Sequence, residues 1–357
     1  MNHELRSVID AINPVDQSLM AAAQAHLDNL TKPRGSLGRL EELAARLYCI
    51  AGGRRPLRVD PARVFTVAGD HGVSAEGVSP FPQEVTRQMV LNFANGGAGI
   101  NVLCRTAGVD LRVVDAGCLG GPFPEHPALI QRKVAEGTAS IARGPAMSLE
   151  TCEKALLLGI SLAEEAAADG CRCVGTGDMG ISNTTPSTAL YCAYLGLDPA
   201  DITGPGAGLA SEAVRHKVEV IRRALEVNRH IVEAGDPVAT LAALGGIEIA
   251  TLAGLVIGAA RHGLACVIDG FISTAAFTAA WKICPDVRGY CFLSHASAEP
   301  GYRSVVDALN AQPLLHLGLR LGEGTGGALA MFLMRAAADI FNDMATFADA
   351  GVSEADD

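Results

Sequence analysis

Residues 62–72 read ARVFTVAGDHG, a short apolar run closed by glycine and followed at once by an Asp-His pair. A run of this length, carrying Val64, Phe65, Thr66 and Val67, predicts a strand buried on both faces that feeds a loop. The pattern recurs at VDLRVVDAG (109–117), CRCVGTGDMG (171–180), LACVIDG (264–270) and RGYCFLSH (288–295). Helical patterns fall between these runs, at about 83–94 and 97–107, at SLETCEKALLLGISLAEEAAADG (148–170) with Ser148 as N-cap, and at ASEAVRHKVEVIRRALEVNRH (210–230). Strands separated by helices of this length pair in parallel through right-handed crossovers, so the expected fold is α/β with a doubly wound sheet. Ligands of such sheets bind outside the carboxyl ends of the strands, and the five small or polar strand endings should converge on one crevice.

Composition agrees. Of 357 residues, 49% are hydrophobic, 19% charged and 40 are glycine, the signature of a large interior with many tight turns. The length exceeds the usual single domain, and the chain outside the alternating segment is helical. The leucines at 37, 40, 43 and 47 fall on one helical face. A small helical domain made of residues 1–50 plus 328–357, beside a large α/β domain over 51–327, is the expected organisation. The tail VSEADD (352–357) reads as frayed.

A net charge of −11 with no Lys/Arg stripe argues against nucleic acid and membrane surfaces as partners. The ten cysteines are scattered through apolar stretches, which predicts buried reduced thiols and a cytoplasmic location. The start lacks the basic head and apolar core of a signal peptide. Residues 238–260 are long and apolar enough to span a bilayer, but Glu248 and the pair Gly245-Gly246 divide them, predicting two buried helices.

Four stretches carry candidate chemistry. LGEGTGG (321–327) sets Glu323 between Gly322 and Gly324 after an apolar approach, where desolvation would raise the carboxyl pKa and suit it to proton transfer. GTGDMGISNTTPS (175–187) stacks glycines, Asp178, Asn183 and Thr184 after a strand, offering backbone donors to an anion and side chains to a sugar. GPGAG (204–208) follows no convincing strand and lacks the spacing of a dinucleotide fingerprint; it reads as a glycine-rich helix entrance for a phosphate, with Lys217 two turns on. LACVIDGFIST carries one acid, Asp269, where an activated-pyrophosphate site needs a pair. Asp70-His71, Cys171-x-Cys173 and His295 lack the further ligands of a metal site; an Asp-His pair in such a loop more often orders its own turn.

The chain strongly resembles the nicotinate-nucleotide:dimethylbenzimidazole phosphoribosyltransferases, which make the lower-ligand nucleotide of cobalamin. The likeness runs through LTKPRGSLGRLEELA, AGDHGVSAEGVSPFPQEVTRQMVLNFANGGAGINVL, GTGDMGISNTTPS, DGFIST, SHASAEPGYR and LRLGEGTGGALA, in order and over almost the whole length. It implies a Rossmann-like large domain, a small helical domain from both termini, a homodimer, and a reaction without metal or organic cofactor. A benzimidazole nitrogen attacks C1′ of nicotinate mononucleotide, nicotinate leaves, and α-ribazole 5′-phosphate forms. Glu323 matches the family's catalytic base. Asp178 stands where a glutamate is typical, so it is expected to orient rather than abstract. Gly180, Lys217 and Ser297 align with the donor's phosphate-binding groups, with Asn183, Thr184 and Gly322 as neighbours of the donor. Pro82, Gln88 and Met89 are the candidates for the acceptor pocket.

Two rivals use the same scaffold. A nucleotide-dependent oxidoreductase would change reduced-nicotinamide absorbance, and a nucleotide sensor would bind nicotinate mononucleotide yet release no nicotinate when a benzimidazole is supplied.

Overall fold

The computed structural model describes residues 1–353; the last four residues of the tail, where fraying is expected, lie outside them. Six strands form one sheet: β1 (Ala62–Gly69), β2 (Asp110–Gly117), β3 (Leu129–Gln131), β4 (Cys173–Met179), β5 (Ala265–Ile268) and β6 (Cys291–Leu293). Their order is β3-β2-β1-β4-β5-β6 and every pairing is parallel. The chain therefore winds outward from β1 in one direction, then returns to its other side with β4. That reversal is the switch point at which such sheets open a crevice.

Successive side chains of a strand face opposite sides, and each side has its own core. Phe65 and Val67 of β1 pack with helices Leu149–Ala168, Ile247–Arg261 and Phe271–Ile283. Val64 and Ala68 face the other way, onto helices Met20–Asp28, Arg39–Ile50, Gly99–Ala107 and Thr325–Asp343. Helices on both faces explain why the strands read as continuous apolar runs rather than as alternations.

The segment 238–260 forms two helices, Pro237–Leu244 and Ile247–Arg261, broken at the glycine pair. Among the described residues no helix is long and apolar enough to cross a membrane. All ten cysteines are free and buried. Ser148 caps its helix by accepting the Thr151 N–H.

Three local expectations need correction. The stripe beginning at Leu37 starts too early: the helix opens at Arg39, after Gly38 at φ 54°, a backbone angle that ends any helix running in from Leu37. The strand expected over 288–295 is only three residues long, because a 3-10 turn over Pro285–Tyr290 occupies its first half. β3 has no counterpart in the sequence reading; three edge residues next to a proline-rich loop carry no periodicity to detect.

Candidate active site

The carboxyl ends of β4, β5 and β6 border a cavity of about 720 Å³. Residues from all three strand-end loops line it, together with Gly206 and Ala207, the segment Gly318–Glu323, and an apolar wall of Phe81, Val85 and Met89.

Glu323 is 5% exposed and sits at φ 65°, a left-handed conformation uncommon for a residue with a side chain. Two contacts hold it there. The Thr66 hydroxyl of β1 donates to its carbonyl oxygen at 2.7 Å. On β4, a Cβ at Gly177 would come within 2.3 Å of that same oxygen, so only glycine lets the turn settle between the two strands. The turn that carries the Glu323 carboxyl is thereby fixed beside β1 and β4. Its Oε2 accepts the Ile100 N–H at 3.1 Å, in the first turn of helix Gly99–Ala107. Burial pushes the Glu323 pKa above the ordinary value, with that N–H opposing.

Asp178 ends β4. Its Oδ2 accepts the Asn183 side-chain amide at 3.0 Å, while Oδ1 has no partner. Burial, and then the nearby charge of Asp269, hold its pKa well above the carboxylate range. Gly322 stands directly against it, since a Cβ there would lie 3.4 Å from Oδ2. Asp269 at the end of β5 takes a different post from a sugar ligand. It accepts the N–H groups of Gly324 at 3.1 Å and Gly327 at 3.0 Å, capping the helix that follows Glu323. Burial raises it to about 7 against those bonds.

Gly180, Thr184, Ser297 and Glu299 also line the cavity. Lys217 is just behind this wall, 1% exposed, donating to Thr184 Oγ1 at 2.6 Å and to the Gly204 carbonyl at 3.3 Å. Desolvation lowers its pKa to about 8, with Glu299 opposing. GPGAG connects helix Pro199–Ile202 to helix Ser211–Val227 and follows no strand, so the topology of a dinucleotide fingerprint is missing.

The cavity thus brings together Glu323, Asp178, Gly180, Asn183, Thr184, Ser297, Gly322 and Met89, with Lys217 at its back. Pro82 and Gln88 do not line it; both are exposed, Pro82 just before and Gln88 within helix Glu84–Ala94, while Phe81 does line it. Sequence reasoning also passed over Glu299, and it misplaced the Asp70-His71 pair. His71 Nε2 reaches Glu248 Oε1 at 2.7 Å across 177 positions, and Asp70 Oδ2 accepts the Leu119 N–H at 2.7 Å, so the pair ties distant segments instead of its own turn. Glu248 gave a signal: one acid in an otherwise apolar 23-residue stretch needs a buried partner. Among the described residues no group of three or more His, Cys, Asp or Glu is placed to hold a metal ion.

The cavity is thus lined by a fixed carboxylate of raised pKa and by an apolar wall, with a buried ammonium behind it. The family model described as Phosphoribosyltransferase matches residues 12–352, and the chain belongs to that family. The nicotinate-nucleotide–dimethylbenzimidazole phosphoribosyltransferase of Oleidesulfovibrio alaskensis is 67% identical over 353 residues, 99% of either chain. The protein of the same name in Chlorobaculum tepidum is 51% identical over 357 residues and the full length of both. A solved structure, the enzyme of that name from Thermus thermophilus, superposes with a TM-score of 0.89 at 46% identity, covering 95% of this chain and 100% of that one.

Proposed function

We infer that this protein transfers the 5-phosphoribosyl group of nicotinate mononucleotide to 5,6-dimethylbenzimidazole, releasing nicotinate and forming α-ribazole 5′-phosphate in cobalamin biosynthesis. The observation that carries this reading is Glu323, desolvated and locked between two strands on the wall of a cavity behind which Lys217 is buried against Thr184. Full-length relatives named for that reaction support it.

The donor phosphate binds at Gly180 and Ser297, with the Lys217 ammonium behind them as a compact point charge. Asn183 and Thr184 stand beside the ribose, and Gly322 leaves room for it. The acceptor lies flat against Phe81, Val85 and Met89, with Pro82 and Gln88 at the mouth. As one azole nitrogen forms its bond to C1′, the C1′–pyridinium bond breaks and its electron pair returns to the nicotinate ring. The azole's other nitrogen becomes acidic and gives its proton to Glu323, whose raised pKa makes it a competent acceptor near neutrality. Asp178 is one methylene shorter than the family's usual glutamate and orients Asn183 and the developing ribosyl cation. The reaction uses no metal or organic cofactor, because the pyridinium is already a good leaving group.

The same reading assigns residues 1–50 and 328–357 to a small helical domain, the active form to a homodimer and the location to the cytoplasm. Its test is direct. Incubation with nicotinate mononucleotide and dimethylbenzimidazole should yield nicotinate and a ribazole phosphate by chromatography. Binding of the nucleotide without nicotinate release would make the protein a sensor instead.

A further inference from the structure

His295 follows β6, lines the cavity and is 1% exposed, yet its Nε2 has no hydrogen-bond partner in the protein. The other ring nitrogen settles its protonation. The Ser294 hydroxyl lies 3.0 Å from Nδ1 and also 3.1 Å from the Asp269 carbonyl oxygen. A hydroxyl has one proton; given to that carbonyl, it leaves Ser294 Oγ to meet Nδ1 as an acceptor. The ring therefore carries its hydrogen on Nδ1, and the Asp269 carboxylate 3.7 Å from the same nitrogen favours the same tautomer. Burial keeps the ring neutral, with a pKa of about 4. Nε2 is then a bare acceptor.

An unpaired buried acceptor is unfavourable and asks for a ligand. Gly270, also on the cavity wall, lies against this nitrogen: a Cβ there would stand 3.2 Å from Nε2 and 3.1 Å from Cε1, so only a residue without a side chain leaves the ring edge uncrowded. The strand order gives the side from which a ligand would come. Phe81, Val85 and Met89 belong to the chain between β1 and β2, whereas His295 and Ser297 follow β6, on the opposite flank of β4. The acceptor base and its N–H lie toward the first group and Glu323, so the second flank faces the sugar.

We propose that His295 Nε2 accepts a hydrogen bond from a ribose hydroxyl of the donor nucleotide, a substrate-binding role that rests on the phosphoribosyl-transfer reading. The test pairs the unmodified enzyme and His295→Ala with nicotinate mononucleotide and its 2′-deoxy and 3′-deoxy analogues. In the unmodified enzyme one analogue should lose about tenfold or more in kcat/KM, the scale of a missing hydrogen bond to a site built for it. His295→Ala should show a loss of that order with the full donor and no further loss with that analogue. Undiminished penalties for both analogues in the variant overturn the role. Should His295→Ala fail to fold, ¹⁵N spectra of the histidine-labelled unmodified protein decide: the His295 Nε2 resonance should move from its free, pyridine-like position on adding nicotinate mononucleotide, and no movement refutes the contact. Absence of nicotinate release by the unmodified enzyme would instead remove the ribosyl-transfer reading, and the nitrogen resonance would still report on the hydroxyl.

Discussion

The two ends of the cavity are built by different means. Around the proposed donor site the charges are buried and each is held by hydrogen bonds: Lys217 by Thr184 and Gly204, Asp178 by Asn183, and Asp269 behind them by the N–H groups of Gly324 and Gly327. At the proposed acceptor site, Phe81, Val85 and Met89 line the cavity from one short segment, and Phe81 is 48% exposed. Charges and hydrogen bonds demand direction, so the first end must be rigid. Apolar contact is non-directional, and the second end can change residues without changing the reaction. Variants at the donor end should therefore alter rate and donor affinity, and variants at the acceptor end should alter only which base is used.

The largest effect belongs to the residue between the two ends. Glu323→Gln keeps the shape and the Ile100 hydrogen bond but removes the proton acceptor, so turnover should fall about a hundredfold or more, as loss of a general base does, with donor KM little changed. Steady-state release of nicotinate measures both, and near-normal turnover would take the base role away from Glu323.

Lys217→Ala should raise the donor KM by roughly 10–100-fold, the range for a charge-assisted hydrogen bond, and leave kcat nearly intact. A pH series sharpens this. Lys217 sits at about 8, so its positive form is present below that value and lost as pH rises through it. For the unmodified enzyme kcat/KM for the donor should decline above about pH 8, and this limb should be absent from the Lys217→Ala profile. A shared limb would place the titration elsewhere.

Phe81→Ala should shift the KM for dimethylbenzimidazole by about tenfold, the scale of lost apolar contact in a specificity pocket, and reorder preference among benzimidazoles of different substitution. Donor KM should stay put. A change confined to the donor would break the division between the two ends.

The same division governs what the sequence reveals. Strand runs, their polar endings and the glycines around Glu323 are local, and a parallel sheet with strand-end chemistry follows from them by rule. Partnerships between distant segments are not local. Nothing near Asp269 indicates that it caps the helix following Glu323, and nothing near His71 points to Glu248, because each bond joins residues far apart in the chain. Which residues of the segment around Phe81 face the cavity was not legible for another reason. Met89 lines the cavity, while Pro82 and Gln88 fall on the exposed side of the same segment. One stretch of chain supplies both faces, and only its packing against the sheet decides which residues turn inward.

The smallest expected effect tests whether the donor end is held at a cost to stability. Asp178 is buried with one oxygen unpaired and its pKa held well above the ordinary value, first by desolvation. The folded protein therefore prefers the protonated carboxyl, a preference that contributes stability below the ordinary aspartate value of about 4 and is lost as pH rises from there through the raised pKa. Asp178→Asn retains an oxygen to accept the Asn183 amide and removes the charge. At pH 8 its Tm should exceed that of the unmodified protein by about 1–2 °C, equivalent to about 1 kcal/mol in a chain of this length. The sign of the pH dependence follows by linkage: as pH falls toward about 4, the ordinary range for an aspartate, both states of the unmodified protein become protonated and the difference between the two proteins should vanish. Calorimetry at several pH values measures it. A lower Tm for Asp178→Asn at pH 8 would mean that the fold stabilises the carboxylate as an anion, and the contrast between a donor end poised for binding and an acceptor end relaxed into ordinary packing would no longer hold.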